Sequence, residues 1–150
     1  MKIKLTLASL LLSLTSWAAF ADLEPFVDYE MSDSVWALST VKVDANMGDA
    51  YLEGLKKTWV ASNEISKQLG HIESYSIFRS DLPQSGDFNL LLLTKFANTS
   101  DLAPNKKRYK EFMEKWGKEN SDESTEISQK NYPGMRTITG DYLIREITIK

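Results

Sequence analysis

The 150-residue chain has no cysteine and one histidine, His71. The first absence rules out disulfides and thiolate sites. The second leaves any zinc site dependent on carboxylates, and no close cluster of that kind stands in the sequence. Glycine and proline are sparse, seven and four residues. The scattered glycines form no loop of the kind that cradles phosphate, and no Gly-x-Ser-x-Gly nucleophile turn exists. A basic excess is also missing: 18 Lys and Arg stand against 21 Asp and Glu, for a net charge of −3. That balance argues against nucleic acid, whose binding rests on neutralising phosphates, and against an anionic membrane surface. The longest apolar run, Leu5 to Leu14, is too short to span a bilayer.

What is present begins with a leader. Met1-Lys-Ile-Lys, the apolar centre and Ser16-Trp17-Ala18-Ala19-Phe20-Ala21 together describe a secretory signal peptide over residues 1–21. Cleavage near Ala21 would leave no stable membrane anchor, and no cysteine precedes the cut to carry a lipid. The expected location is the periplasm or the exterior, and the lack of disulfides suits a bacterial periplasm. Removing Lys2 and Lys4 makes the mature chain more acidic still. Residues 22–34 follow as an acidic arm (Asp22, Glu24, Asp28, Glu30, Asp33), expected to be solvated, with Phe26, Tyr29 and Met31 able to pin it to a neighbour.

The domain proper is expected over 35–150. Val35–Val43 alternates apolar residues on both faces of a strand. From Asp49 to Leu69, the residues Tyr51, Leu52, Leu55, Trp59, Ile65 and Leu69 form one helical stripe. Ser62 and Ser66 lie in the same stripe, where small side chains permit close packing or leave room for a ligand. Gly70 then suits a helix C-terminus with positive φ. Strands follow at His71–Arg79 and Asp87–Phe96, joined by a turn at Pro83-Gln84-Ser85-Gly86. Leu90-Leu91-Leu92-Leu93 puts apolar surface on both faces of the second. Thr99, Ser100 and Asp101 offer caps for a second helix with Pro104 in its first turn, reaching to about Lys118 with Tyr109, Phe112, Met113 and Trp116 as its apolar stripe. Glu119–Gln129 reads as a polar helix or loop, and Asp141–Lys150 as a last strand beginning near Thr137.

The order β-α-β-β-α-β predicts an α+β, ferredoxin-like domain: a four-stranded antiparallel sheet with two helices on one face. The helices cover one face and leave leucines on the other. A second copy is the commonest cover for such a face, so a homodimer is expected.

Val41-Lys-Val, Asn46-Met-Gly48 before a long helix, and Leu69-Gly-His-Ile-Glu-Ser-Tyr-Ser-Ile-Phe-Arg79 resemble the dimeric α+β barrel superfamily, which includes the antibiotic-biosynthesis-monooxygenase-like domains. The third strand leading into Ala97-Asn-Thr-Ser-Asp-Leu102 and a helix also fits, so that the resemblance covers about residues 35–150. It implies a dimeric barrel and, for an active member, cofactor-independent oxidation of an aromatic or quinol substrate. The family's third strand often ends in tryptophan followed by an acid, where this chain has Lys95-Phe96-Ala97. A histidine often found in the next helix is absent, so no catalytic residue carries over.

His71 could serve as a general base or a haem ligand, but just after a helix-ending glycine a structural role is the ordinary one. Lys42, Glu73, Arg79, Lys95, Arg145 and Glu146 interrupt apolar strands. Cross-strand ion pairs are the common solution for such charges. The sharper reading is a cavity in which Arg79 or Arg145 holds an anionic group between walls of Trp36 and Tyr75, with Trp59 and Trp116 more simply explained as core. The sequence therefore points first to an exported, dimeric domain binding a small apolar or aromatic ligand through Trp36, Tyr75, Arg79, Arg145 and His71, with no metal and no cofactor. A monooxygenase-like enzyme is the second reading. A structural subunit that uses its acidic arm as a handle is the third.

Overall fold

The computed structural model describes residues 22–82 and 86–150. The signal peptide expected over 1–21, and Pro83, Gln84 and Ser85 of the expected turn, lie outside the described residues. Four strands, β2 (Val35–Val43), β3 (Ser74–Arg79), β4 (Leu90–Phe96) and β5 (Arg136–Ile144), form one antiparallel sheet in the order β3-β4-β2-β5. Helical runs join β2 to β3 and β4 to β5. This is the ferredoxin-like arrangement that the β-α-β-β-α-β order predicts.

Strand alternation divides the sheet into two faces. Val41 and Val43 of β2, with Leu90 and Leu92 of β4, face the helices and pack with Tyr51, Leu55 and Tyr132 in the core. Full burial of each such aliphatic side chain is worth about 1.5–3 kcal/mol. Trp36 and Leu38 of β2, Leu91 and Leu93 of β4, Phe78 of β3 and Tyr142 of β5 share the opposite face.

The first helical run is not uniform. It starts as α1 (Gly48–Leu55), widens into a π-helical turn over Lys56–Val60, and continues as α2 (Ala61–Gln68). Gly70 follows at φ 68°, the left-handed conformation expected of it. The second run, α3 (Lys106–Glu126), is longer than its apolar stripe predicts. It bends where Gly117 takes φ 74° and ψ 167°, then ends in a second π turn at Ile127–Asn131. Its cap is Asn105, which accepts from the amides of Lys107 and Arg108 at 3.0 and 3.1 Å. Thr99–Leu102 instead forms a separate 3-10 turn capped by Asn98, leaving Pro104 outside the helix.

Both ends of the domain differ from expectation. The acidic arm is tied down: β1 (Tyr29–Met31) pairs with β6 (Ile147–Ile149) in a two-stranded ribbon. The expected last strand is accordingly two. It leaves the main sheet after Ile144 and enters the ribbon at Ile147. Asp22, Glu24, Glu30 and Asp33 are exposed, as their density suggests, while Tyr29 and Met31 alternate with Glu30 in a short strand that needs only backbone groups to pair.

Candidate functional site

The best-furnished cleft on the helical side lies between α2, the start of α3 and the near ends of β2 and β4, with a volume of about 450 Å³. That is within the range of small-molecule sites. Trp59, Phe96 and Phe112 supply aromatic wall, and Asn63, Thr94 and His71 supply polar groups.

The floor is built by Asn63 and Thr94. Asn63 is buried, donates through Nδ2 to the Trp59 carbonyl at 2.7 Å, and accepts through Oδ1 from Thr94 Oγ1 at 3.1 Å. Two of its polar contacts are thereby fixed, and the amide is held in one orientation between helix and sheet. At the rim, His71 Nε2 lies 3.4 Å from Glu111 Oε2. Arg108 ties the rim together: its Nη1 meets Asp101 Oδ1 at 3.0 Å and its Nη2 donates to the His71 carbonyl at 2.5 Å. A polar floor, aromatic sides and a braced charged rim can orient a flat molecule carrying a hydroxyl or carbonyl group.

The residues singled out from the sequence do not converge. His71 alone joins this cleft. Tyr75 stands beside it, edge-on to Trp59 with ring centroids 5.5 Å apart, and its hydroxyl donates to Glu64 at 3.1 Å. Burial first, and then the Glu64 carboxylate, push the Tyr75 hydroxyl above its ordinary pKa. Trp36 is on the other face of the sheet, where Lys95 Nζ sits 5.7 Å from its ring centroid. Lys95 also pairs with Glu73 at 2.9 Å, the cross-strand solution expected of charges in strands. Arg79 lines a different recess of about 370 Å³ at the far end of the sheet, with Lys42, Asp44 and Leu52. Arg145 is exposed and braces the chain, donating to the carbonyls of Ser32 and Asp33 at 2.8 and 2.9 Å and to the Thr99 hydroxyl. Trp36, Tyr75 and Arg145 thus do not line one cavity within the protomer.

Asn63, Thr94 and Arg108 escaped the sequence reading. A uniform helix places Asn63 away from the apolar stripe. The π turn before it holds an extra residue and rotates the following helix, so that Asn63 turns inward. Ser66 lines the cleft, which is the roomier of the two roles open to it. Among the described residues no cluster of His, Cys, Asp and Glu could hold a metal ion, and no helix is long and apolar enough to cross a membrane.

No family model matches the chain, and no curated protein matches it. Among solved structures it is similar in fold to HapK from Hahella chejuensis, at 11% identity and a TM-score of 0.45, covering 75% of this chain and 91% of that one. It is also similar to an uncharacterized NIPSNAP-like domain protein from Burkholderia xenovorans, at 15% identity and a TM-score of 0.43, covering 79% and 85%. A third is a dimeric protein of unknown function and ferredoxin-like fold from Bacteroides fragilis NCTC 9343, at 11% identity and a TM-score of 0.42, covering 81% and 100%.

Proposed function

We propose that this is an exported, homodimeric domain that binds a small aromatic molecule in the cleft above Asn63 and Thr94. The observation that carries the reading is the buried Asn63 amide, fixed between the Trp59 carbonyl and the Thr94 hydroxyl beneath aromatic walls. Export rests on the leader pattern of residues 1–21, and dimerisation on the apolar outer face of the sheet.

Calorimetric titration with 1-naphthol, a flat aromatic with one hydroxyl, tests the binding claim. The domain should take it up saturably, and Ser66→Trp, which fills the cleft from α2, should abolish the heat. Equal uptake by both proteins, or none by the parent, contradicts the reading. The leader claim is tested by the N-terminal sequence of the protein recovered from the periplasm. A chain beginning near Asp22 agrees with it, and one beginning at Met1 does not.

One observation favours an enzyme as the second reading. His71 borders the same cleft with Glu111 behind its Nε2 at 3.4 Å, and an imidazole backed by a carboxylate can accept a proton from a bound phenol or quinol. Oxygen uptake with 1,4-naphthohydroquinone, lost in His71→Ala while 1-naphthol binding persists, would establish turnover. Binding with no uptake leaves the domain a binder.

A further inference from the structure

A second cleft on the helical side lies between the two π turns, over the middle of β2 and the start of β5. Its volume is about 330 Å³. Thr58 and Trp59 come from the first π turn and Ser128 from the second, so both wide turns open onto the same space. Such turns disturb helix hydrogen bonding and recur at functional sites.

The charged group in it is Arg136, at the start of β5. Its guanidinium carbon sits 5.2 Å from the centroid of the Tyr132 ring. Its Nε is buried and has no hydrogen-bond partner among the described residues. Arg136 also takes part in none of the ion pairs formed among those residues. A buried donor without an acceptor costs about 1–3 kcal/mol, more when it is charged. The Tyr51 hydroxyl interacts with the guanidinium, yet Nε itself stays without an acceptor among the described residues. Tyr132 shares its hydroxyl hydrogen bond with Thr58 at 2.5 Å, and Ser39 donates to Asp141 at 2.5 Å. Leu92, Ile138 and Trp59 provide apolar wall beside the guanidinium.

We infer that this cleft binds a small monocarboxylate, its carboxylate on Arg136 and its apolar body against Leu92, Ile138 and Trp59. Among the described residues that line it, one guanidinium is the only cation, which matches one negative charge rather than a phosphate dianion. Charge-assisted contacts from a guanidinium to a carboxylate are the strong hydrogen bonds of proteins, and the planar fork suits two oxygens at once.

The probe is benzoate, with benzamide as its neutral analogue and inorganic phosphate as the competing anion. They are titrated into the whole domain while the Arg136 Nε–H resonance and the backbone amides are followed by NMR. Benzoate should bind saturably, shift the Arg136 Nε–H and the amides of Thr58 and Ile138, and bind at least about tenfold more tightly than benzamide, the ratio that one charge-assisted contact supplies. Arg136→Met should erase that preference. Ser128→Trp, an exposed position whose new ring would enter the cleft, should block benzoate without touching Arg136 and guards against misfolding of the first variant. Equal binding of benzoate and benzamide, preference for phosphate, shifts confined to the Asn63 cleft, or no saturable binding because water alone satisfies Nε would each overturn the inference.

Discussion

At the scale of single residues, Tyr132 and Gly54 set the spacing of the core. Tyr132 meets Tyr51 edge-on with centroids 5.0 Å apart and hydrogen-bonds Thr58. A Cβ on Gly54 would stand 2.8 Å from Tyr132 Cε1. Tyr132 is buried and held on two sides, so it has little freedom to yield. Gly54→Ala should therefore destabilise the domain by about 1–2 kcal/mol, overpacking outweighing the better helix propensity of alanine. Urea unfolding measures it, and a variant as stable as the parent would contradict the packing described. The same tyrosines predict an alkaline limit. Burial raises the pKa of both Tyr51 and Tyr132 in the folded state, against smaller lowering contributions from Arg136 on each and from Thr58 on Tyr132. A folded pKa above the unfolded one of about 10 means that the native state holds protons the unfolded chain has released. Their contribution is complete below pH of about 10 and is lost as pH rises through the folded values. Thermal unfolding followed between neutral pH and pH of about 11 should show stability falling at the alkaline end, and less steeply in Tyr51→Phe. An unchanged slope in that variant would contradict the assignment.

At the scale of elements, the sheet was largely legible and the helices only in outline. Val35–Val43 is a strand over the whole predicted length because two-sided apolar alternation has few other solutions. The leucine run also falls in a strand, although pairing begins only at Leu90. Asn89 instead closes the edge of β2: its side chain accepts from the Val43 amide at 2.8 Å and donates to the Val43 carbonyl at 2.7 Å. The π turns carry no periodic signal, so the inward rotation of Asn63, and with it the floor of the candidate site, was not readable. The length of α3 was hidden for a related reason. Beyond Trp116 its residues are polar, and Gly117 looks like a stop rather than a bend. Its true start is marked by Asn105. Asn105→Ala should cost about 1 kcal/mol in urea unfolding by stripping two amides of their acceptor. No measurable loss would place the functional start of the helix elsewhere.

At the scale of the whole molecule, the two faces of one sheet are unequally covered. One is closed by helices. The other presents Phe78, Tyr142 and Ile144 as exposed side chains around half-buried Trp36, Leu38, Leu91 and Leu93. The register aligns them in rows across the strands: Phe78 with Leu91 and Thr40, Leu93 with Leu38 and Tyr142, and Lys95 with Trp36 and Ile144. Tyr142 also lies over Gly140, whose added Cβ would meet its hydroxyl oxygen at 2.6 Å. Isolated exposed apolar residues are ordinary, but a continuous sheet of them marks an interface. In the proposed homodimer a second copy would meet it face to face, in a closed, two-fold assembly in which each surface is its own complement. Of the five residues chosen from the sequence, Trp36 belongs to the outer face and His71 to the inner cleft, while Arg145 follows β5 and braces Ser32, Asp33 and Thr99, a separation that no spacing rule discloses. Sedimentation equilibrium of the domain from Asp22 to Lys150 at micromolar concentration tests the assembly most directly. Twice the protomer mass, reduced to a folded single protomer by Leu93→Lys at the centre of the outer face, is the predicted result. A parent protein that sediments as one protomer, or a variant that stays paired, would contradict it.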